Sequence, residues 1–114
     1  VNAITLHEEM LSLISELEML SFEMVQQART WAEAERDYRK GRARAILTAE
    51  GSVAVKEAIA DEQCNELMFE AHLAEATMKA TKEAVRAKQA AISGLQTIAS
   101  SYKSEADFAR TGPR

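Results

Sequence analysis

Leu47-Thr48-Ala49-Glu50-Gly51-Ser52-Val53-Ala54 is the stretch that decides the fold. It sets a glycine directly before a serine, midway along 114 residues that otherwise carry few turn signals. Glycine takes the left-handed backbone that closes a helix, and a serine hydroxyl accepts from an N–H two or three residues on. Together they predict that one helix ends at Glu50 and another starts at Val53. A two-residue tip between long helices makes an αα-hairpin.

Upstream of the tip, a 4-3 spacing runs without a slip: Leu6, Met10, Leu13, Leu17, Leu20, Met24, Gln27, Trp31, Ala34, Tyr38, Gly41, Ala45. Only Gln27 is plainly polar, and such spacing is a coiled-coil signal. Thr5-Leu6-His7-Glu8 fits a capping box and places the helix start at Thr5. Downstream, a stripe of smaller residues runs from Val53 and Glu57 through Ala60, Cys64, Leu67, Ala71, Ala74, Met78, Thr81, Val85, Lys88, Ile92, Leu95 and Ala99 to Tyr102 and Ala106. Gly94 costs a helix about 1 kcal/mol against alanine, which makes it a candidate kink. The organisation expected is an N-terminal tail over 1–4 and one hairpin over 5–109, with a disordered tail over 110–114. Within the hairpin, helices over 5–50 and 53–109 flank a tip at 51–52.

Composition narrows the class further. A hydrophobic share of 46% is too high for a disordered chain, and four glycines with one proline argue against a sandwich, a barrel or a run of βα units. One cysteine excludes an internal disulfide, and two histidines are a poor stock for a metal site. No stretch approaches the roughly 18 apolar residues of a membrane span. The N-terminal residues lack the basic start and apolar run of a secretory signal. A cytoplasmic chain without membrane contact is expected.

The net charge of −4 is segregated. Residues 1–28 hold five acidic side chains and no Lys or Arg, and residues 29–44 hold six basic against three acidic. Residues 45–78 hold seven acidic and one basic, and residues 79–114 hold seven basic and three acidic. A tight tip makes facing residue numbers sum to roughly 102–105. That register sets Trp31 against Ala71 and Ala74, and Gly41 near Ala60 and Cys64. It also brings Glu16 to Arg86 and Lys88, Glu23 to Lys79 and Lys82, and Arg36, Arg39 and Lys40 to Glu62, Glu66 and Glu70. Alternating charge blocks are what a chain that pairs with itself requires.

Several large apolar residues fall outside the stripes. Leu11, Ile14, Phe22 and Val25 on the first helix, with Phe69 on the second, are the candidate self-association residues. Ile59, Met68 and Ile98 join them, and the longer second helix carries Tyr102 and Phe108 past the end of the first. A homodimer forming a four-helix bundle covers such residues economically.

Arg36, Arg39, Lys40, Arg42 and Arg44 form the candidate nucleic-acid contact, a run of cations able to track a phosphate backbone. The acidic 57–70 block offers these cations partners within the chain, and the ion-paired reading outweighs the nucleic-acid one. Glu70-Ala71-His72 lacks the Glu-x-x-His spacing of carboxylate-bridged metal bundles. His7 and His72 have no triad partners, and Cys64 at a stripe position reads as a small buried thiol. No catalytic residue, metal ligand or cofactor site is expected, and the chain does not read as an enzyme.

Ala34-Glu35 with Tyr38-Arg39-Lys40 and Ala43, followed by Leu47 to Ala58 over the tip, carries a resemblance. So do Ala74-Glu75, Lys82, Arg86, Ile92, Leu95-Gln96 and the close from Ser104 to Gly112. These residues resemble small all-helical phage and prophage proteins of the actinobacteriophage early-region type. The sequence departs from that pattern at Val55-Lys56 and at Lys88-Gln89. The resemblance implies a viral accessory protein in the bacterial host cytoplasm, with a phage or host protein as partner. It also implies an alternative, a role beside phage DNA recombination or replication.

Overall fold

The computed structural model describes residues 2–111, and there the chain is an all-α helical hairpin. Helix α1 spans Ala3–Thr48, α2 Val53–Gln63 and α3 Asn65–Thr111.

Asn2, rather than Thr5, caps α1. Its Oδ1 accepts from the Thr5 backbone N–H at 2.8 Å and from the Thr5 hydroxyl at 3.1 Å. The Leu6 N–H reaches the Asn2 carbonyl at 3.0 Å. Asparagine is the stronger N-cap, so the helix starts two residues before the expected Thr5, and no capping box forms around Glu8. The far end of α3 also continues past its expected limit. Arg110 pairs with Asp107 at 2.9 Å, and the Thr111 hydroxyl donates to the Asp107 carbonyl at 2.9 Å. Arg110 and Thr111 are therefore helical instead of a disordered tail, while 112–114 lie outside the described residues.

The tip follows its sequence chemistry. Gly51 has φ +118°, open to glycine and strained for any side chain. Ser52 is extended and its Oγ accepts from the Val55 N–H at 3.3 Å, capping α2. Helix α1 closes at Thr48, two residues before Glu50, with the Thr48 hydroxyl donating to the Arg44 carbonyl at 3.0 Å.

The second arm is not one continuous helix. Cys64, with φ −102° and ψ 12°, separates α2 from α3. Its N–H still bonds the Ala60 carbonyl, and its own carbonyl still receives the Met68 N–H, both at 2.9 Å. The interruption lies where the arms approach closely. A Cβ on Gly41 would stand 2.9 Å from Leu67 Cδ1 and 3.6 Å from Cys64 Sγ. Cys64 and Asn65 are weak helix formers, so the backbone departs from helical dihedrals there at low cost while the bonds of Cys64 persist. Gly94, the expected kink, is helical and faces open space.

Two compact units divide the hairpin, one formed by Glu23–Thr81 and the other by the remainder. In the Glu23–Thr81 unit, Ala45, Ala60 and Cys64 make a buried cluster against which Tyr38 and Ile46 pack. Ala71 is buried in the same unit, and Trp31, Ala34, Leu67 and Ala74 are half-buried. In the other unit Leu6, Val85 and Ile92 are buried. Every α1 stripe position from Leu6 to Ala45 is buried or half-buried. Val53, Glu57, Tyr102 and Ala106 depart from the expected stripe by being exposed, the first two lying where α1 is ending at Thr48.

Two ion pairs cross between the arms in the expected register: Lys88 with Glu16, and Arg42 with Asp61 at 3.1 Å. Other cations bond along their own helix. Arg36 takes Asp37 at 3.3 Å, Arg39 takes Glu35 at 2.7 Å, Lys79 takes Glu75 at 2.8 Å and Arg86 takes Glu83 at 2.8 Å. The expected pairing of Arg36, Arg39 and Lys40 with Glu62, Glu66 and Glu70 does not form: Arg36 and Arg39 bond along α1, and Lys40 makes no ion pair with a described residue. A carboxylate on the same helix is reached without ordering two arms against each other.

Two glycines give opposite expected outcomes under thermal denaturation at fixed protein concentration. Gly94→Ala removes helix-interior backbone entropy into free space and stabilises by about 0.5–1 kcal/mol. Gly51→Ala forces a side chain into a positive φ beside Val55 and destabilises by about 1 kcal/mol or more. A loss of stability at position 94 would contradict the uninterrupted α3.

Candidate functional site

The five candidate self-association residues are on the surface, as their spacing required. In one unit Leu11 is 53%, Ile14 38% and Phe22 69% exposed. In the Glu23–Thr81 unit Val25 is 62% and Phe69 60% exposed. Met19 and Leu73 are similarly exposed, and sequence reasoning did not single them out. Ile59 and Met68 are half-buried, having turned toward the seam, while Ile98 remains exposed. Side chains of this size, exposed in both units, make an interaction surface the leading candidate site.

The five cations near the tip do not form one patch. Along α1, Lys40 and Arg42 flank the seam residue Gly41 on opposite sides, since each position turns the helix about 100°. Arg42 goes to the side of Asp61, its guanidinium pKa raised by the hydrogen bond to that carboxylate. Arg39 is held by Glu35 on the same side as Arg42, and Arg36, on the outer face, bonds Asp37. Lys40 and Arg44 share the opposite flank with Glu33 and Asp37. The sequence run suggested a single cationic stripe, and the helical geometry divides it in two.

A cleft of about 290 Å³ opens on one side of the Glu23–Thr81 unit, lined by Gln27, Thr30, Glu70, Leu73, Ala74 and Thr77. Gln27, the polar interruption of the α1 stripe, buries its Oε1 there without a hydrogen-bond partner. Trp31 Nε1, one turn on, is also buried without one. In the other unit a cleft of about 380 Å³ is lined by Ala3, Leu6, His7, Met10, Ala99, Tyr102, Lys103 and Ala106. It lies where α3 passes the start of α1.

The described residues include no group of three His, Cys, Asp or Glu side chains that could hold a metal ion. Cys64 is buried in the alanine cluster, and His7 and His72 are exposed. No described helix is long and apolar enough to cross a membrane. No family of known proteins matches the chain, and no curated protein or solved structure matches it either.

The unpartnered seam glutamine gives a direct test. Gln27→Leu removes a buried acceptor and completes the apolar stripe, so it raises stability by about 1 kcal/mol in urea titration. A destabilised variant would show that Gln27 Oε1 is satisfied in solution.

Proposed function

We propose that this chain works by binding rather than by catalysis: a helical hairpin that self-associates, forming a four-helix bundle, and acts as an interaction protein. The observation that carries this reading is the exposure of Leu11, Ile14, Phe22, Val25 and Phe69, large apolar side chains outside the intramolecular seam. Covering five such residues returns on the order of 5–10 kcal/mol. Association itself costs on the order of 4–15 kcal/mol, so the gain matches a reversible assembly rather than a permanent one. The phage accessory role belongs to the same reading, carried by the resemblance at residues 34–58 and 74–112. A nucleic-acid role is less well supported. Three of the five candidate cations, Arg36, Arg39 and Arg42, are already committed to carboxylates.

Sedimentation equilibrium over a hundredfold range of protein concentration tests this proposal. A dimer that dissociates on dilution is expected, with a denaturation midpoint that rises with concentration. Phe22→Ser and Phe69→Ser each shift the equilibrium toward monomer without lowering helicity. A monomer at every concentration, with both variants indistinguishable from the parent, would overturn it.

A further inference from the structure

We infer that the first turns of α1 form a contact between two copies, packed antiparallel so that Leu11 meets Ile14, and His7 meets Glu18, of the other copy. The inference rests on the proposed self-association and assigns it a surface and a register.

A second stripe runs along α1 beside the seam. Ile4, His7, Leu11, Ile14, Glu18 and Ser21 repeat the seam spacing one position after it, which keeps them on one flank of the helix. All six lie in the unit that holds α1 up to Phe22 and α3 from Lys82. Ile4 is 72% exposed, and Leu11 and Ile14 are exposed beyond it, so the hairpin itself leaves the stripe uncovered. His7 and Glu18 are exposed too, and neither makes an ion pair with a described residue.

The stripe's 3-4-3-4-3 spacing reads the same from either end. It therefore fits a second copy of itself running in the opposite direction, about a two-fold axis midway between Leu11 and Ile14. The pairs that result are matched in chemistry: Leu11 with Ile14, His7 with Glu18, and Ile4 with Ser21 at the margin. An imidazole N–H donates to a carboxylate whether the ring is neutral or protonated. A two-fold contact is isologous, so this bond forms twice. Other alignments fit worse. Parallel copies set Glu18 against Glu18, and an antiparallel axis one step further on sets Ile14 against Glu18. The first opposes like charges and the second desolvates a carboxylate against an apolar side chain.

Helix α3 raises no obstacle on this side. His7 and Lys103 line one cleft, which shows that the flanks following the two seams adjoin there. The Lys88–Glu16 bond fixes the height of α3 against α1. At that height Gln89 falls opposite Ser93, and Arg86 opposite Gln96, of the other copy, and no like charges oppose each other in these pairs.

Sedimentation equilibrium of full-length charge variants tests the register. His7→Glu sets two carboxylates together at both contacts and weakens self-association about tenfold or more. Adding Glu18→Lys to the same chain sets opposite charges there, and association returns to the parental strength. Positions 7 and 18 stand about three turns apart on one helix, so the rescue does not arise within a chain. Helicity by circular dichroism stays at the parental level, since both positions are exposed. A second readout uses the unaltered protein, with isotope-labelled and unlabelled copies mixed. Nuclear Overhauser contacts then join the His7 ring to Glu18, and the Ile4 methyls to Ser21, across copies. If His7→Glu associates like the parent, or the double variant restores nothing, or the contacts across copies join other residues, this stripe is not the contact and self-association through another surface stands. If the parent is monomeric throughout, both the stripe and the self-association fall.

Discussion

Close approach of the two arms beside Gly41 is the constraint on which the remaining structure depends. A Cβ there would meet Leu67 at 2.9 Å, and the residues around it are Ala45, Ala60 and Cys64, all small and all buried. Packing at interior density requires facing side chains to share a fixed space, so small residues on α2 and α3 set how near α1 can come. The glycine at 51 and the cap at Ser52 then follow as geometric needs, because arms this close must be joined by a short turn.

Electrostatics plays a different part from the one the charge blocks suggest. Among the described residues, six of the eight ion pairs lie along a single helix, where exposed pairs contribute little to stability. Two pairs, Glu16–Lys88 and Arg42–Asp61, bridge the arms and mark the register.

The fold was legible because heptad spacing and capping are properties of neighbouring residues. The stripe from Leu6 to Ala45, the turn at Gly51-Ser52 and the exposure of Phe22 and Phe69 can all be read without coordinates. What escaped depends on competition between neighbours. Asn2 outcompetes Thr5 as a cap, and Arg39 bonds Glu35 on its own helix instead of a carboxylate on the second arm. The break at Cys64 carries no proline or glycine to announce it. The candidate cations were legible as a run, but their division by Gly41 follows from the turn of the helix.

The register at the close approach is the central claim, and nuclear Overhauser contacts test it most directly. Proton contacts between the Gly41 Hα atoms and the Leu67 methyls, with further contacts between Ala45 and Ala60, are the predicted result. A copy diluted into unlabelled protein keeps them, because they lie within one chain. Loss of these contacts, with Gly41 meeting residues one heptad away along the second arm, would contradict the account.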